Sequence, residues 1–511
     1  MTNPASAMRM LITYAIVIPL AIVVGYLLTD PLDYGTLGFF GLVVALLLSP
    51  VFIKWHYPIL VFGLGCPMLC FFLVGRPPLW QVVVLLSLGI SIVERTVSSR
   101  RFISAPVVTW PLLYVVAMTY MTSTLTGGIG LHQLGGEGGG GKKYLIVLIG
   151  VAAYFALTSR AIPKEKRNFY IALYVLSATT GCIGDVAAEL GGPFHALNLL
   201  FPSALAYTSD VSIGTTRLST LGVVFSMSAV YMLVRYGLRG IFLSSHIWRI
   251  PVFLLLFALA MLGGYRTVMI TFLMIFFILF FLEGLHHSRL LPMALLAGIL
   301  FLPMLLFFSD QLPHTFQRSL SFLPLKWDAT VVDDAKTSSD WRLRMWAALW
   351  PQVPQYLLLG KGYSLTEEDF QKIGTGVFAG LGAGADASQE TLAISGDYHS
   401  GPLSTLIPFG IWGGIAIVWL MAVSLFVYYR NFRYGDPDLK TFNAYLLAAG
   451  IASIIVFFFI FGGYQDSILE MSKGLGISVA LNWGVCRPTP KPVYNPRIKP
   501  LPVGEPVAQS A

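Results

Sequence analysis

The sequence predicts an all-α polytopic membrane protein. Two observations carry that prediction. The 511-residue chain is 56% hydrophobic and only 11% charged, where a water-soluble fold holds about 25% charged residues. Its apolar runs last about 20 residues and are separated by short polar joints, the pattern of helices that cross hydrocarbon. An outer-membrane barrel would instead alternate in segments of about 10 residues, and none is visible. No internal repeat stands out.

Taken in order, spans are expected near 10–28, 36–53, 58–74, 79–94, 106–123, 143–158, 168–190, 217–235, 249–264, 267–283, 290–308, 402–429, 441–461 and 467–485. That gives about 12–14 helices once short or glycine-broken runs are weighed. The first run is too long for a signal peptide and lacks a small-residue cleavage site, so it reads as a retained anchor. Cys66 and Cys70 would sit one helical turn apart and, with Cys182 and Cys486, read as packing residues, having no His or acidic partner nearby.

Orientation follows from Lys and Arg. Lys54, Arg95, Arg100, Arg101, Arg160, Lys164, Lys166, Arg167, Arg235, Arg239, Arg249, Arg430, Arg433 and Lys440 fall on alternate joints, which the positive-inside rule assigns to the cytoplasm. An even number of spans then puts both termini there and the 309–400 loop outside. The net charge of +8 reflects these loops, with a possible attraction for anionic membrane lipid, and is no nucleic-acid signature. The chain divides into helices over 1–308, a large outer loop over 309–400, helices over 401–485, and a Pro-rich basic tail over 486–511. Proline at that density forbids helix and sheet, so the tail reads as extended. The glycine run between Thr126 and Lys143 lacks the strand–loop–helix frame of a phosphate loop and reads as a linker.

The outer loop is where water can reach long stretches of chain. It opens with a basic amphipathic stretch, Leu312–Trp327. A helix is expected from Ser339–Asp340, with Trp341, Met345 and Leu349 on one stripe and Trp346 and Trp350 on another. Pro351 and Pro354 end or kink it, Gly360–Gly362 is a turn, and Thr375–Gly384 is glycine-rich. Charge gathers around this loop. Arg217 opens the eighth span, Arg266 sits at a hairpin apex in LGGYRTVM, Arg342 and Arg344 lie on the loop helix, and His399 precedes the twelfth span. Arginines at span ends can also snorkel to headgroups, and a single histidine can be structural. What singles these out is their joint occurrence on one face. Guanidinium forks bind phosphate oxygens at two points, and imidazole can take a proton from a hydroxyl. At an outer face the obvious phosphate donor is a lipid-linked diphosphate sugar.

The ordered set resembles the O-antigen ligase/O-antigen polymerase family of bacterial inner-membrane glycosyltransferases. It comprises R-L-S-T-L-G at Arg217, GGYRT at Arg266, WRLRMW…P…GKG in the loop, and HSGPLSTLIPFGIWGG at His399. The resemblance covers roughly Arg217–Gly414 and implies a GT-C-like fold with short periplasmic helices in the loop. It implies that Arg217 and Arg266, helped by Arg342 or Arg344, hold the diphosphate of an undecaprenyl-linked glycan. His399 would act as general base or orient the acceptor hydroxyl, with inversion at the anomeric carbon, no metal and no cofactor. The acceptor would be lipid-A core for a ligase or a second lipid-linked glycan for a polymerase. Tyr265 stands where the family often has Ser, Ser400 where Asn is more common, and fourteen spans exceed the ligases' usual twelve.

Three carboxylates stay open to more than one role. Asp185 and Glu189, one turn apart in the seventh span, can relay protons in a transporter, bind acceptor hydroxyls, or mark a helix end. Asp397 can orient His399 or be loop surface. A polysaccharide-lipid flippase would place charges at mid-span and show repeats, and a scaffold would tolerate loss of His399 and Arg266. The charges lie mainly at span ends, which favours the transferase.

Overall fold

The computed structural model describes residues 4–27, 29, 34–73, 75–98, 101–127, 140–203, 218–363, 396 and 398–488. Helices dominate. Among the described residues there is no strand, only an isolated antiparallel bridge between Leu69 and Pro78. In chain order the helices are α1 (Pro4–Leu27), α2 (Tyr34–Gly63), α3 (Leu79–Ser98), α4 (Pro106–Thr126), α5 (Gly140–Leu157), α6 (Arg167–Leu176), α7 (Cys182–Leu190), α8 (Ser219–Phe242) and α9 (Arg249–Ala260). They continue with α10 (Arg266–Leu282), α11 (Leu290–Phe308), α12 (His314–Leu320), α13 (Ala329–Leu349), α14 (Val353–Tyr356), α15 (Gly401–Tyr434), α16 (Lys440–Phe459) and α17 (Tyr464–Asn482). Seven helical stretches among the described residues are long and apolar enough to cross a membrane, so the chain is an all-α polytopic membrane protein.

α15 is the hub. It packs against α4, α16 and α17, while α5 lies along α17, α8 along α9, and α10 along α16. Lipid gives little hydrophobic drive between spans, so close backbone approach must supply the packing. Gly222 of α8 shows this: a Cβ there would meet the Gly263 backbone, after α9, at 2.7 Å. α11 is the opposite case. It is apolar on all sides and most of its side chains are exposed, as suits a helix bathed in lipid.

Three expectations are corrected. First, α2 runs unbroken through the joint expected at Lys54 and ends at Gly63, so the 36–53 and 58–74 spans are not separate. Pro50 and Pro58 lie inside α2, and proline alone does not end a membrane helix. Residues 64–73 and 75–78 form irregular chain, where Cys66 and Cys70 are buried and free rather than one helical turn apart. The even count that placed both termini on one face loses a member. Second, the 168–190 span stands within one membrane-length apolar stretch, Lys164–Leu190, but it is not one continuous α-helix, because a 3-10 turn over Ser177–Gly181 lies inside it. Third, the loop helix starts at Ala329, not at Ser339–Asp340. Asp328 caps it by accepting from the Thr330 N–H at 2.8 Å, and Val331 and Ala335 extend its buried stripe one turn at a time. Arg217, Asp397, Thr375–Gly384, most of the Thr126–Lys143 segment and the tail from 489 lie outside the described residues.

Candidate active site

The site forms where α13 docks onto the first turns of α15. Trp341, Met345 and Leu349 share one stripe as expected, and that stripe is buried against Tyr398, Leu403 and Ile407. Each such side chain contributes roughly 1.5–3 kcal/mol when taken from water. Trp346 adds a polar tie, its indole N–H donating to the Tyr398 carbonyl at 2.8 Å. Trp350 is exposed.

A second clamp holds the docked pair. α15 breaks at Gly410, whose φ of 63° is left-handed, one residue past Phe409 and two past Pro408. That break would strand backbone groups. The Gly360–Gly362 turn supplies their partners: Lys361 N–H donates to the Ile407 carbonyl at 2.7 Å and Gly362 N–H to the Pro408 carbonyl at 2.9 Å. In return Ile411 N–H donates to Leu357 at 2.7 Å. A Cβ on Gly360, where φ is 75°, would meet the Pro408 oxygen at 2.2 Å, so only glycine fits.

His399 sits directly before α15 with φ of 49°, a conformation few non-glycine residues adopt. The neighbouring residue is fixed, with Tyr398 N–H donating to Ser404 Oγ at 3.0 Å. The half-buried imidazole lies against Phe461, centroids 4.8 Å apart and 30° from parallel, and meets Trp341 edge-on at 5.7 Å. Phe461 comes from the α16–α17 joint. That joint can approach because Gly401 carries no Cβ, which would strike the Phe457 carbonyl at 2.4 Å.

The arginines arrive from the other side of α13. Gly264, left-handed at φ 65°, turns the chain into α10, of which Arg266 is the first residue. Arg266 Nη1 donates to Ser339 Oγ at 3.3 Å. Arg342 follows Ser339 by one turn on α13 and adjoins Trp341, which touches His399. Burial holds the Arg342 guanidinium below its ordinary pKa, and the positive charge of Arg266 pushes the same way. Arg342 Nε is buried with no hydrogen-bond partner among the described residues. Asp334 lies close enough to act on Arg266, but it is bound to Arg318 at 2.6 Å. The arrangement is therefore two neighbouring guanidiniums, one of them next in sequence to the tryptophan that touches an aromatic-clad imidazole, and an anion would relieve their repulsion.

Not every predicted residue joins. Arg344 is exposed on another face of α13, and Glu189 is exposed on α7. Asp185 is buried and accepts from Ser203 and Thr220, away from His399. Phe461 and Ser339 were not anticipated as site residues. The glycine pair after Phe461, in FGGYQ, matches the GGY before Arg266 and was the available signal.

Residues 251–418 match the family model described as O-antigen ligase. That stretch of the chain is similar to this family. Arg266, Arg342 and His399 fall inside the match; Asp185, Arg217 and Phe461 fall outside. No curated protein and no solved structure matches the chain. The apolar helical stretches make the chain a membrane protein, and the match likens residues 251–418 to O-antigen ligases.

Proposed function

We propose that the chain is a ligase-like glycosyltransferase of the inner membrane, moving a glycan from undecaprenyl diphosphate to an acceptor hydroxyl. The observation that supports it best is the crowding of Arg266 against Arg342, the residue next to the Trp341 that contacts His399. In this reading the two guanidiniums, with Arg217, take the diphosphate, and Arg344 assists at most from the rim. His399 takes the proton as the acceptor oxygen attacks the anomeric carbon. The bond from that carbon to the diphosphate breaks, its electron pair leaves with undecaprenyl diphosphate, and configuration inverts. Charge grows on the leaving group, so fixed cations favour the transition state over the bound donor. The arginines supply the positive charge that a metal ion supplies elsewhere. Asp397, two residues before His399, would orient it.

Charge supports a periplasmic site. α15 starts beside His399 and ends at Arg430 and Arg433, and α3 ends near Arg95. The positive-inside rule puts those basic ends in the cytoplasm and His399 opposite. The tail leaves from the cytoplasmic end too, since Cys486 N–H donates to Asn431 Oδ1 at 2.9 Å.

The test uses purified protein in nanodiscs with a lipid-diphosphate-linked oligosaccharide, lipid-A core, and a second lipid-linked unit as acceptors. Product on the core alone supports the ligase reading. A ladder of lengths makes the chain a polymerase of the same family. Movement of the lipid with no transfer overturns both in favour of a flippase.

A further inference from the structure

Asp185 is 6% exposed, on a helix nine residues long, and both of its oxygens are engaged by protein hydroxyls. Ser203 Oγ donates to Oδ1 at 2.9 Å, and Thr220 Oγ1 donates to Oδ2. A carboxylate buried this deeply is costly to desolvate, so its location needs a reason. The surrounding backbone is tight. A Cβ on Gly184 would meet the Phe201 carbonyl at 2.3 Å, so α7 lies directly on the chain leading to Ser203. On the other side, Thr220 belongs to the first turn of α8. Two residues later a Cβ on Gly222 would meet Gly263 Cα at 2.7 Å. Gly263 precedes the left-handed Gly264 that turns the chain into Arg266.

We infer that Asp185 is a positioning residue for Arg266, acting through Thr220 and the Gly222–Gly263 contact; this rests on the reading of Arg266 as a diphosphate ligand. The contacts form one chain of rigid parts. The carboxylate fixes the start of α8, α8 fixes the glycine hairpin, and the hairpin sets where the guanidinium stands. With its oxygens turned to Ser203 and Thr220, Asp185 is not offered to an acceptor sugar. Asparagine could accept one hydroxyl and donate to the other, so it restores part of the tie. Alanine restores none.

The experiment compares wild type with Asp185→Ala, Asp185→Asn, Thr220→Val, Gly222→Ala and Arg266→Ala in nanodiscs. It reads transfer kinetics, thermal midpoint, and binding of undecaprenyl diphosphate as a ligand-induced shift of that midpoint. Asp185→Ala is expected to raise the donor KM about tenfold, the scale of one misplaced charge-assisted hydrogen bond. The acceptor KM should not change, and Asp185→Asn should recover part of the loss. Gly222→Ala, which leaves the carboxylate in place but pushes on the hairpin, should give the same donor-specific defect. Thr220→Val gives the answer should Asp185→Ala not fold. A lower midpoint with unchanged donor KM and unchanged undecaprenyl diphosphate binding makes Asp185 a packing residue and overturns the inference. So does a rise in acceptor KM alone. If wild type itself binds no undecaprenyl diphosphate, the functional reading fails. If wild type binds it and only Arg266→Ala loses it, the functional reading stands and the positioning role fails.

Discussion

The two ends of α15 treat arginine differently. At the end carrying Arg430 and Arg433, cations are matched inside the protein. Arg160 grips both oxygens of Glu94, Arg167 pairs with Asp436 at 2.8 Å, Lys164 joins the same carboxylate at 3.1 Å, and Arg430 Nε donates to the Cys486 carbonyl at 2.9 Å. At the His399 end, Arg266 and Arg342 form no ion pair among the described residues and crowd each other. Arg318 is the local contrast, since it sits in the same loop and is paired with Asp334. A guanidinium answered by an internal carboxylate fastens the fold. A half-buried guanidinium with a second one beside it keeps its binding capacity for something from outside.

The largest effects should therefore fall at one end only. His399→Ala is expected to cut transfer roughly a hundred- to ten-thousandfold, the range for losing a general base. Arg266→Ala should cost roughly a hundred- to a thousandfold, as loss of a preorganised charge does. The transfer rate of each variant is read beside its thermal midpoint, so that a lost reaction is separated from a lost fold. Single-turnover transfer with a lipid-linked donor measures the first quantity and detergent melting the second. Wild-type rates in either variant would break the comparison at once. Arg342→Lys sharpens it, because lysine keeps the charge and loses the two-point fork. About a tenfold drop in kcat/KM is expected, with the donor KM carrying most of it. A smaller step concerns the aromatic wall. Phe461→Leu keeps bulk but not the flat face against His399. It should lower kcat by several-fold to about tenfold at unchanged donor and acceptor KM, since the imidazole is misaligned and the binding groups are not.

Much of this site was legible in the sequence, for identifiable reasons. Trp341, Met345 and Leu349 recur at four-residue spacing, and that spacing alone puts them on one buried face. Gly360 and Gly362 announced a turn, and both have positive φ. His399 before Gly401–Pro402 announced a helix mouth. The start of α13 was not legible because residues 329–340 are mostly polar and carry their buried stripe on small residues such as Val331 and Ala335. Serine at 339 resembled a cap, yet its hydroxyl instead donates to Ala335 within the helix and accepts from Arg266. Phe461 was hidden for another reason. It stands 62 positions from His399 and reaches it through the glycine-mediated approach of α15 and α16, for which the FGGYQ glycine pair was the one local signal. The unbroken α2 shows the limit of charge as punctuation: an exposed lysine interrupted hydropathy without interrupting the helix.

The smallest expected effect lies at the paired end and concerns stability rather than transfer. Hydrogen bonding from Arg167, then from the Asp438 backbone and from Lys164, holds the Asp436 carboxyl well below the ordinary carboxylate range. A depressed folded-state pKa stabilises the fold fully above the unfolded value, about 3.9, and that contribution is lost as pH falls towards the depressed one. Around neutral pH it is therefore constant. Asp436→Asn removes it, and the deficit should appear as a lower thermal midpoint at pH 7 that narrows towards the wild-type value in acid. Transfer per folded molecule should stay unchanged, because the carboxylate answers Arg167 and Lys164 at the end of α15 remote from His399. Melting curves of both proteins between neutral and strongly acidic pH, with transfer assayed at neutral pH, check the two halves separately. A transfer defect in well-folded Asp436→Asn would mean the two ends are coupled through α15. The division between fastening and binding arginines would then have to be redrawn.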